Sequence, residues 1–378
     1  MPERLITHLR HVDIAVPDFA RQLEFYTSVW GLTQAGGDTG VAFLAAEGSP
    51  EQYVVRLREG DKRLDLIAFG AEDPAHVDQL AQRLGSAGVT LVSEPGPVDT
   101  LGGGHGFRFF DVDGRTIEVS AGVAVRAHRR VEEKEAIPVR LSHVVLNSPD
   151  IDSTRDWYAS HLDFRLSDTL GGVMHFMRCN PRHHSFAIAR GPHAAVHHIS
   201  FEMRGVDEYM RGTGRVVRAG ARFLWGPGRH LAGDNTFSYF LDPHGNTVEY
   251  TTALQELDED TWHPHVSVHH VSFEMRGLDE YMRGSGRVLR SGTRMVWGPG
   301  RHLAGDNTFS YFLDPHGNTI EYTTQLQELD EDTWHPHVYD MHDPMVQDQW
   351  GTANPMSELV AKESFNDVDP GLFVAPPV

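Results

Sequence analysis

The chain has a single cysteine, Cys179, among 378 residues, so no internal disulfide framework braces it. It has no run of about 18 apolar residues, so no segment reads as a membrane-spanning helix. Positive charge is scarce: 33 Lys and Arg stand against 53 Asp and Glu, a formal net charge of -20. A surface of that sign repels phosphate, and no nucleic-acid partner is expected. Met1 to Thr7 hold no apolar leader core. Together with the lone thiol, this makes a reducing cytoplasm the expected address. What the chain has in excess is histidine, 24 residues. Imidazole is the commonest protein metal ligand and moves protons near neutral pH.

The chain repeats itself. Val196 to Val266 and Val268 to Val338 match at an offset of 72 residues and differ at ten positions, among them Ile199/Val271, Val206/Leu278 and Phe223/Met295. Neither copy has decayed. A fainter repeat lies beneath. Arg10-His11-Val12-Asp13-Ile14-Ala15-Val16-Pro17-Asp18 resembles Ser142-His143-Val144-Val145-Leu146-Asn147-Ser148-Pro149-Asp150. Each is an apolar strand ending in a helix-start signal. Phe109 to Glu118 resembles Phe240 to Glu249, and in both Asp-x-x-Gly marks a tight turn between two strands.

The unit is therefore strand, helix, then three strands, and it occurs five times: roughly 5–60, 61–122, 139–192, 193–260 and 265–332. The fold class is α+β, built from repeated βαβββ modules. The first two modules form an N-terminal pair, 1–125. A charged linker follows over 126–138, then module 3 at 139–192, module 4 at 193–264, module 5 at 265–338 and a tail at 339–378.

His143 opens a strand in the third module, His198 opens the matching strand in the fourth, and Glu249 lies in the last strand of the fourth. Two histidines and one carboxylate on packed strands can fill one face of an octahedron, the arrangement that suits non-haem Fe(II). Each residue alone is a weak signal, since strand histidines are more often structural. More polar residues cluster in the same two modules. His184 lies in an apolar alternating stretch, His230 follows a Gly-Pro-Gly read as a turn, and Tyr239 sits in FSYFLDP. His183 reads as a surface residue. His263, His265 and His342 read as solvated or structural.

At these motifs the sequence resembles the type I extradiol dioxygenases of the vicinal oxygen chelate superfamily, which cleave catechols next to the diol. SHVVLNSPD, NPRHHSFAIA, VHHISFEM and GPGRHLAGDNTFSYFLDPHGNTVEY carry the resemblance, which spans essentially the whole chain, including Gln349-Trp350-Gly351 in the tail. It implies His143, His198 and Glu249 as Fe(II) ligands, although the same donors accept Mn(II). It implies His184 as the pocket histidine that moves protons, and His230 with Tyr239 as the pair that hydrogen-bonds the catechol. His197 becomes a supporting or structural neighbour. The implied reaction inserts both atoms of O2 into catechol, or a substituted catechol such as 2,3-dihydroxybiphenyl, to give a muconic semialdehyde. A glyoxalase-like metalloenzyme of the same superfamily and a non-catalytic small-molecule-binding protein are the competing readings.

Three departures from the family pattern carry expectations. His11 and Glu118 survive in the N-terminal pair, but Leu66 replaces the second histidine and Arg108 the tyrosine, so that pair should hold no metal. Trp225 stands where homoprotocatechuate enzymes carry a substrate-binding arginine, which favours an uncharged substrate. And there are five modules where the family has four. The fifth offers a competing ligand set, His270 and Glu321 with His302 and Tyr311 as pocket residues, but His143 and His184 occur once. One full site is expected, and the short connection Arg190 to Ala194 favours the fourth module as its second half. The spare module would leave bare a face it normally buries; another subunit, the tail or exchange between protomers can cover it, and a homo-oligomer is expected.

Overall fold

The computed structural model describes residues 4–230, 232–257, 265–267, 271–303, 305–315, 319–328, 343, 345, 349 and 350. Five βαβββ modules follow one another. The first holds β1 (His8–Val16), α1 (Phe19–Glu24) continuing as a π-helical turn (Phe25–Trp30), β2 (Thr33–Asp38), β3 (Val41–Ala45) and β4 (Val55–Glu59). The second holds β5 (Arg63–Gly70), α2 (Pro74–Ser86), β6 (Leu91–Pro97), β7 (His105–Phe110) and β8 (Thr116–Ala121). The third holds β9 (Pro138–Ser148), α3 (Ile151–Leu162), β10 (Arg165–Leu170), β11 (Met174–Arg178) and β12 (Phe186–Arg190). The fourth holds β13 (Ala195–Met203), α4 (Val206–Arg218), β14 (Arg222–Arg229), β15 (Thr236–Leu241) and β16 (Thr247–Thr252). A short β17 (His265–Ser267) precedes the fifth, which holds β18 (Val271–Glu274), α5 (Leu278–Arg290), β19 (Met295–Arg301), β20 (Thr308–Leu313) and β21 (Thr319–Thr324).

Local chemistry sets these boundaries. Asp18, Asp73 and Asp150 each cap a helix by accepting the backbone N–H three residues on. Asp111 and Asp242 hold the Asp-x-x-Gly turns, each taking two backbone N–H groups on Oδ1. Residues 265–267, expected to open the fifth module, instead pair in parallel with β10 of the third.

Each module pairs its first strand in parallel with its own last strand. Neighbouring modules then join first strand to first strand, antiparallel. The sheet orders are β2-β3-β4-β1-β5-β8-β7-β6 for modules one and two, and β14-β15-β16-β13-β9-β12-β11-β10-β17 for four and three. The fifth module forms its own sheet, β18-β21-β20-β19. The third module has thus joined the fourth.

The chain divides into two compact units, one carrying the first four modules and the other the fifth. In the first unit the two large sheets share a core. Trp30 stacks on Tyr250 at 3.8 Å, and Phe201 packs against both Tyr26 and Trp30. Modules two and three are tied by Arg115, fully buried, which pairs with Asp111 and Asp113 and donates to the Asn147 carbonyl. In the second unit Phe273 stands in the place of Phe201, yet it is 52% exposed where Phe201 is 0%. The tail beyond the fifth module lies almost wholly outside the described residues. Of it, Gln349 donates to the carbonyl of His302 at 2.6 Å.

Candidate metal centre

Strand register builds the site. On β13, Ser200 faces His143 of β9 on one side and Glu249 of β16 on the other. Residues opposite one another across a sheet point to the same face, and so does His198, two residues from Ser200. Four side chains of two modules therefore share one buried face, and the smallest, Ser200, lies between the others.

His143 Nε2 lies 3.0 Å from Glu249 Oε2, His198 Nε2 lies 3.5 Å from the same oxygen, and the two Nε2 atoms are 3.3 Å apart. All three residues are buried. No well-aligned hydrogen bond reaches either oxygen of Glu249. A buried carboxylate left so calls for a missing partner. Three donors sharing one cation at roughly 2.1 Å would be spaced about as these are. Two imidazoles and a carboxylate are also the donor set of the non-haem iron triad. The residues fit a divalent metal. Among the described residues they are the one cluster of His, Cys, Asp or Glu spaced to hold an ion.

Electrostatics agrees. Burial pushes the Glu249 carboxyl up, but His143 and His198 outweigh it and hold the group well below the usual carboxylate range. Burial lowers the His143 pKa despite Glu249 beside it. A metal site needs an ionised carboxylate, and His143 is disposed to be neutral, as a ligand must be. The outer nitrogens are also held. Ser142 Oγ lies 3.1 Å from His143 Nδ1, and His197 Nδ1 lies 2.7 Å from His198 Nδ1. Contacts on Nδ1 leave Nε2 for the metal, the usual role of such outer partners.

His184 packs against His143 with ring centroids 4.2 Å apart. Burial, reinforced by the surrounding histidines, holds its pKa well below the ordinary value. His183, expected at the surface, is completely buried. Its Nδ1 lies 2.9 Å from His184 Nδ1 and its Nε2 lies 2.8 Å from Asp168 Oδ2. The surface reading fails because β12 begins only at Phe186, and the preceding segment turns His183 inward onto Asp168 of β10. An ionised carboxylate only accepts, so His183 donates from Nε2. A His183 that donates from Nε2 can accept at Nδ1 from His184 Nδ1, and that tautomer of His184 carries no hydrogen on Nε2.

The Gly-Pro-Gly before His230 is not a turn. Gly226, Pro227 and Gly228 lie within β14, where the register against β15 slips between Trp225 and Gly228. Proline cannot donate to a ladder, and the sheet-edge position of β14 tolerates such a break. A Cβ on Gly228 would sit 2.5 Å from the Phe237 ring, so glycine lets Phe237 lie flat there. His230 stacks on Phe237 at 3.9 Å, and its Nε2 comes within 3.0 Å of the Tyr239 hydroxyl. Tyr239 meets His198 edge-on at 5.0 Å, and Trp225 lies nearly parallel to Tyr239 at 5.6 Å. Burial lowers the His230 pKa to about 4. Thus His184, His230 and Tyr239 converge on the three candidate ligands. Asp168, His183 and Ser200 belong with them, and no motif in the sequence marks the three as site residues. An aspartate within the strand stretch RLSDTL was the one available signal.

The other two candidate places differ. In the N-terminal pair, Arg108 Nε lies 2.9 Å from Glu118 and supplies the positive charge there. His11 bonds Asp13 at 2.7 Å, while Leu66 sits across from Asp13. A cavity of about 10 Å³ beside His11, Tyr53 and Glu118 has room for roughly one water. In the fifth module His302 Nε2 lies 3.2 Å from the Tyr311 hydroxyl and Glu321 is buried, as in the fourth. His270 lies outside the described residues, as do His263 and His342.

Comparison with known proteins gives a consistent picture. The model of the Glyoxalase/Bleomycin resistance protein/Dioxygenase superfamily matches residues 8–119 and 140–250. Metapyrocatechase 2 of Cupriavidus necator is 30% identical over 68% of this chain and 84% of its own. Biphenyl-2,3-diol 1,2-dioxygenase of Paraburkholderia xenovorans is 28% identical over 72% of this chain and 95% of its own. Among solved structures, a Mn(II)-bound glyoxalase from Novosphingobium aromaticivorans superposes with a TM-score of 0.72 at 34% identity, covering 98% of each chain.

Proposed function

The chain belongs to the Glyoxalase/Bleomycin resistance protein/Dioxygenase superfamily, and from that premise we propose that it is an extradiol dioxygenase opening the ring of a catechol beside the diol. The observation that carries this reading is the convergence of His184, His230 and Tyr239 on the triad His143, His198 and Glu249. The names of the metapyrocatechase and biphenyl-diol dioxygenase relatives support it. Fe(II) is the proposed metal and Mn(II) the alternative, which the Mn(II)-bound glyoxalase neighbour keeps in view.

His143, His198 and Glu249 would hold a redox-active divalent cation, which would supply one centre for catechol and dioxygen and make their encounter effectively intramolecular. The protein's own groups do the rest. His184 takes a catechol proton at Nε2, and His183 with Asp168 hold its ring and favour the resulting charge. The Tyr239 hydroxyl and His230 Nε2 are placed to hydrogen-bond the substrate oxygens as charge shifts between them. Trp225, half exposed beside Tyr239, offers an aromatic face and no cation, which suits an uncharged ring substituent over a carboxylate.

The test is oxygen uptake. Anaerobic protein loaded with one Fe(II) per chain, given catechol or 2,3-dihydroxybiphenyl and then air, should consume O2 and turn yellow as the semialdehyde forms. The neighbour called a glyoxalase favours a second reading, an isomerase-type reaction on the same metal. Turnover without oxygen uptake would select it.

A further inference from the structure

We propose that the fifth module is an assembly module: β18 pairs antiparallel with β18 of a second copy of this chain, and two fifth modules complete one sheet. Each first strand of modules one to four has two neighbours. On one side is the last strand of its own module: Val12↔Val55, Ile67↔Ile117, Val144↔Phe186 and Ile199↔Val248. On the other is the first strand of a sister module: Val12↔Ile67 and Ile199↔Val144. Val271 holds the same place in β18 and has the inner neighbour, Ile320. Among the described residues β18 has no outer neighbour and ends its sheet.

An open strand edge carrying unpaired N–H and C=O groups is a template for another strand. The four sister strands of this chain are already paired with one another, so among the described residues none is left for this edge, and a second copy of the module supplies a strand of matching shape. The sister seams also show that the joint can be symmetric. Their central pairs, Val12 with Ile67 and Val144 with Ile199, hold equivalent places in the two modules. Two identical modules can therefore meet about a two-fold axis with Val271 opposite Val271, the isologous contact most homodimers use.

Cysteine cross-linking of the full chain tests this. The native Cys179 is buried. Directly opposed antiparallel residues have Cα atoms about 4.5–5.5 Å apart, within disulfide reach. Val271→Cys should form a covalent dimer on mild oxidation. Glu274→Cys lies three residues off the axis in the same strand, roughly 20 Å from its symmetry mate, and should stay uncross-linked. No dimer from Val271→Cys, or equal cross-linking of the two variants, overturns the proposal. Cross-linking of Val271→Cys only with a second chain carrying Val144→Cys also overturns it, and shows instead that the fifth module exchanges into the third module's seam.

Discussion

Phe201 and Phe273 hold the same place in two nearly identical modules, yet Phe201 is sealed beneath Tyr26 and Trp30 while Phe273 is half exposed. Among the described residues, the shared core of the first unit takes in side chains of the fourth module. Truncating a buried phenylalanine costs about 3–5 kcal/mol, whereas exposed positions usually shift stability by about 0.5 kcal/mol or less. Phe201→Ala should therefore lower the melting temperature of the first unit by several degrees, and Phe273→Ala should leave every thermal transition nearly unchanged. Equal losses in calorimetry would contradict this division.

The pair behind His184 predicts a kinetic signature. Asp168→Asn should lower kcat by roughly 10–100-fold while leaving bound metal and KM nearly intact, because the carboxylate acts through His183 and not on the metal. The pH profile of kcat should move as well, with partial recovery in Asp168→Glu. Loss of metal in Asp168→Asn would point to a merely structural aspartate.

Much of this site can be read in the chain itself. The residue types and the family resemblance suggest two strand histidines and a glutamate, but which way Glu249 points is open in the sequence, since a one-residue slip flips a strand's faces. The observed register, with Ser200 opposite both His143 and Glu249, is what turns His143, His198 and Glu249 to one face. Sequence tilts the choice between Glu249 and Glu321 only by loop length, because the two modules are nearly the same string. What separates them is tertiary: β13 lies against β9, and Trp30 lies against Tyr250. The burial of His183 is hidden from the sequence for the same kind of reason. Its partner Asp168 is 15 residues away on another strand, and nothing local marks the bond. Gly-Pro-Gly has the residues of a turn, but a bulge on an edge strand uses the same ones.

Buried neutral histidines make the metal-free protein acid-sensitive. Burial holds His230 at about 4 and His197 at about 3, against about 6.5 in an unfolded chain. As pH falls below about 6.5 the unfolded chain takes up protons that the native site refuses, so stability drops. The loss amounts to at most about 1.4 kcal/mol per pH unit per group, and for His230 it is complete near pH 4. Melting temperatures of metal-free protein should fall steadily from pH 7 to pH 5. The Glu51 carboxyl is pushed up by burial but held at about 2 by His8 and Arg10, so it adds a loss only at lower pH. A flat profile between pH 7 and 5 would contradict the buried neutral cluster.

In the proposed site, modules three and four hold the metal and the fifth module takes no part. The direct measurement is iron bound per chain, under anaerobic loading, in Glu249→Gln and Glu321→Gln side by side. Glu249→Gln should lose most of its iron, and Glu321→Gln should keep one iron per chain with its oxygen-dependent catechol cleavage. Equal loss in both variants, or loss only in Glu321→Gln, would rule out a site confined to modules three and four.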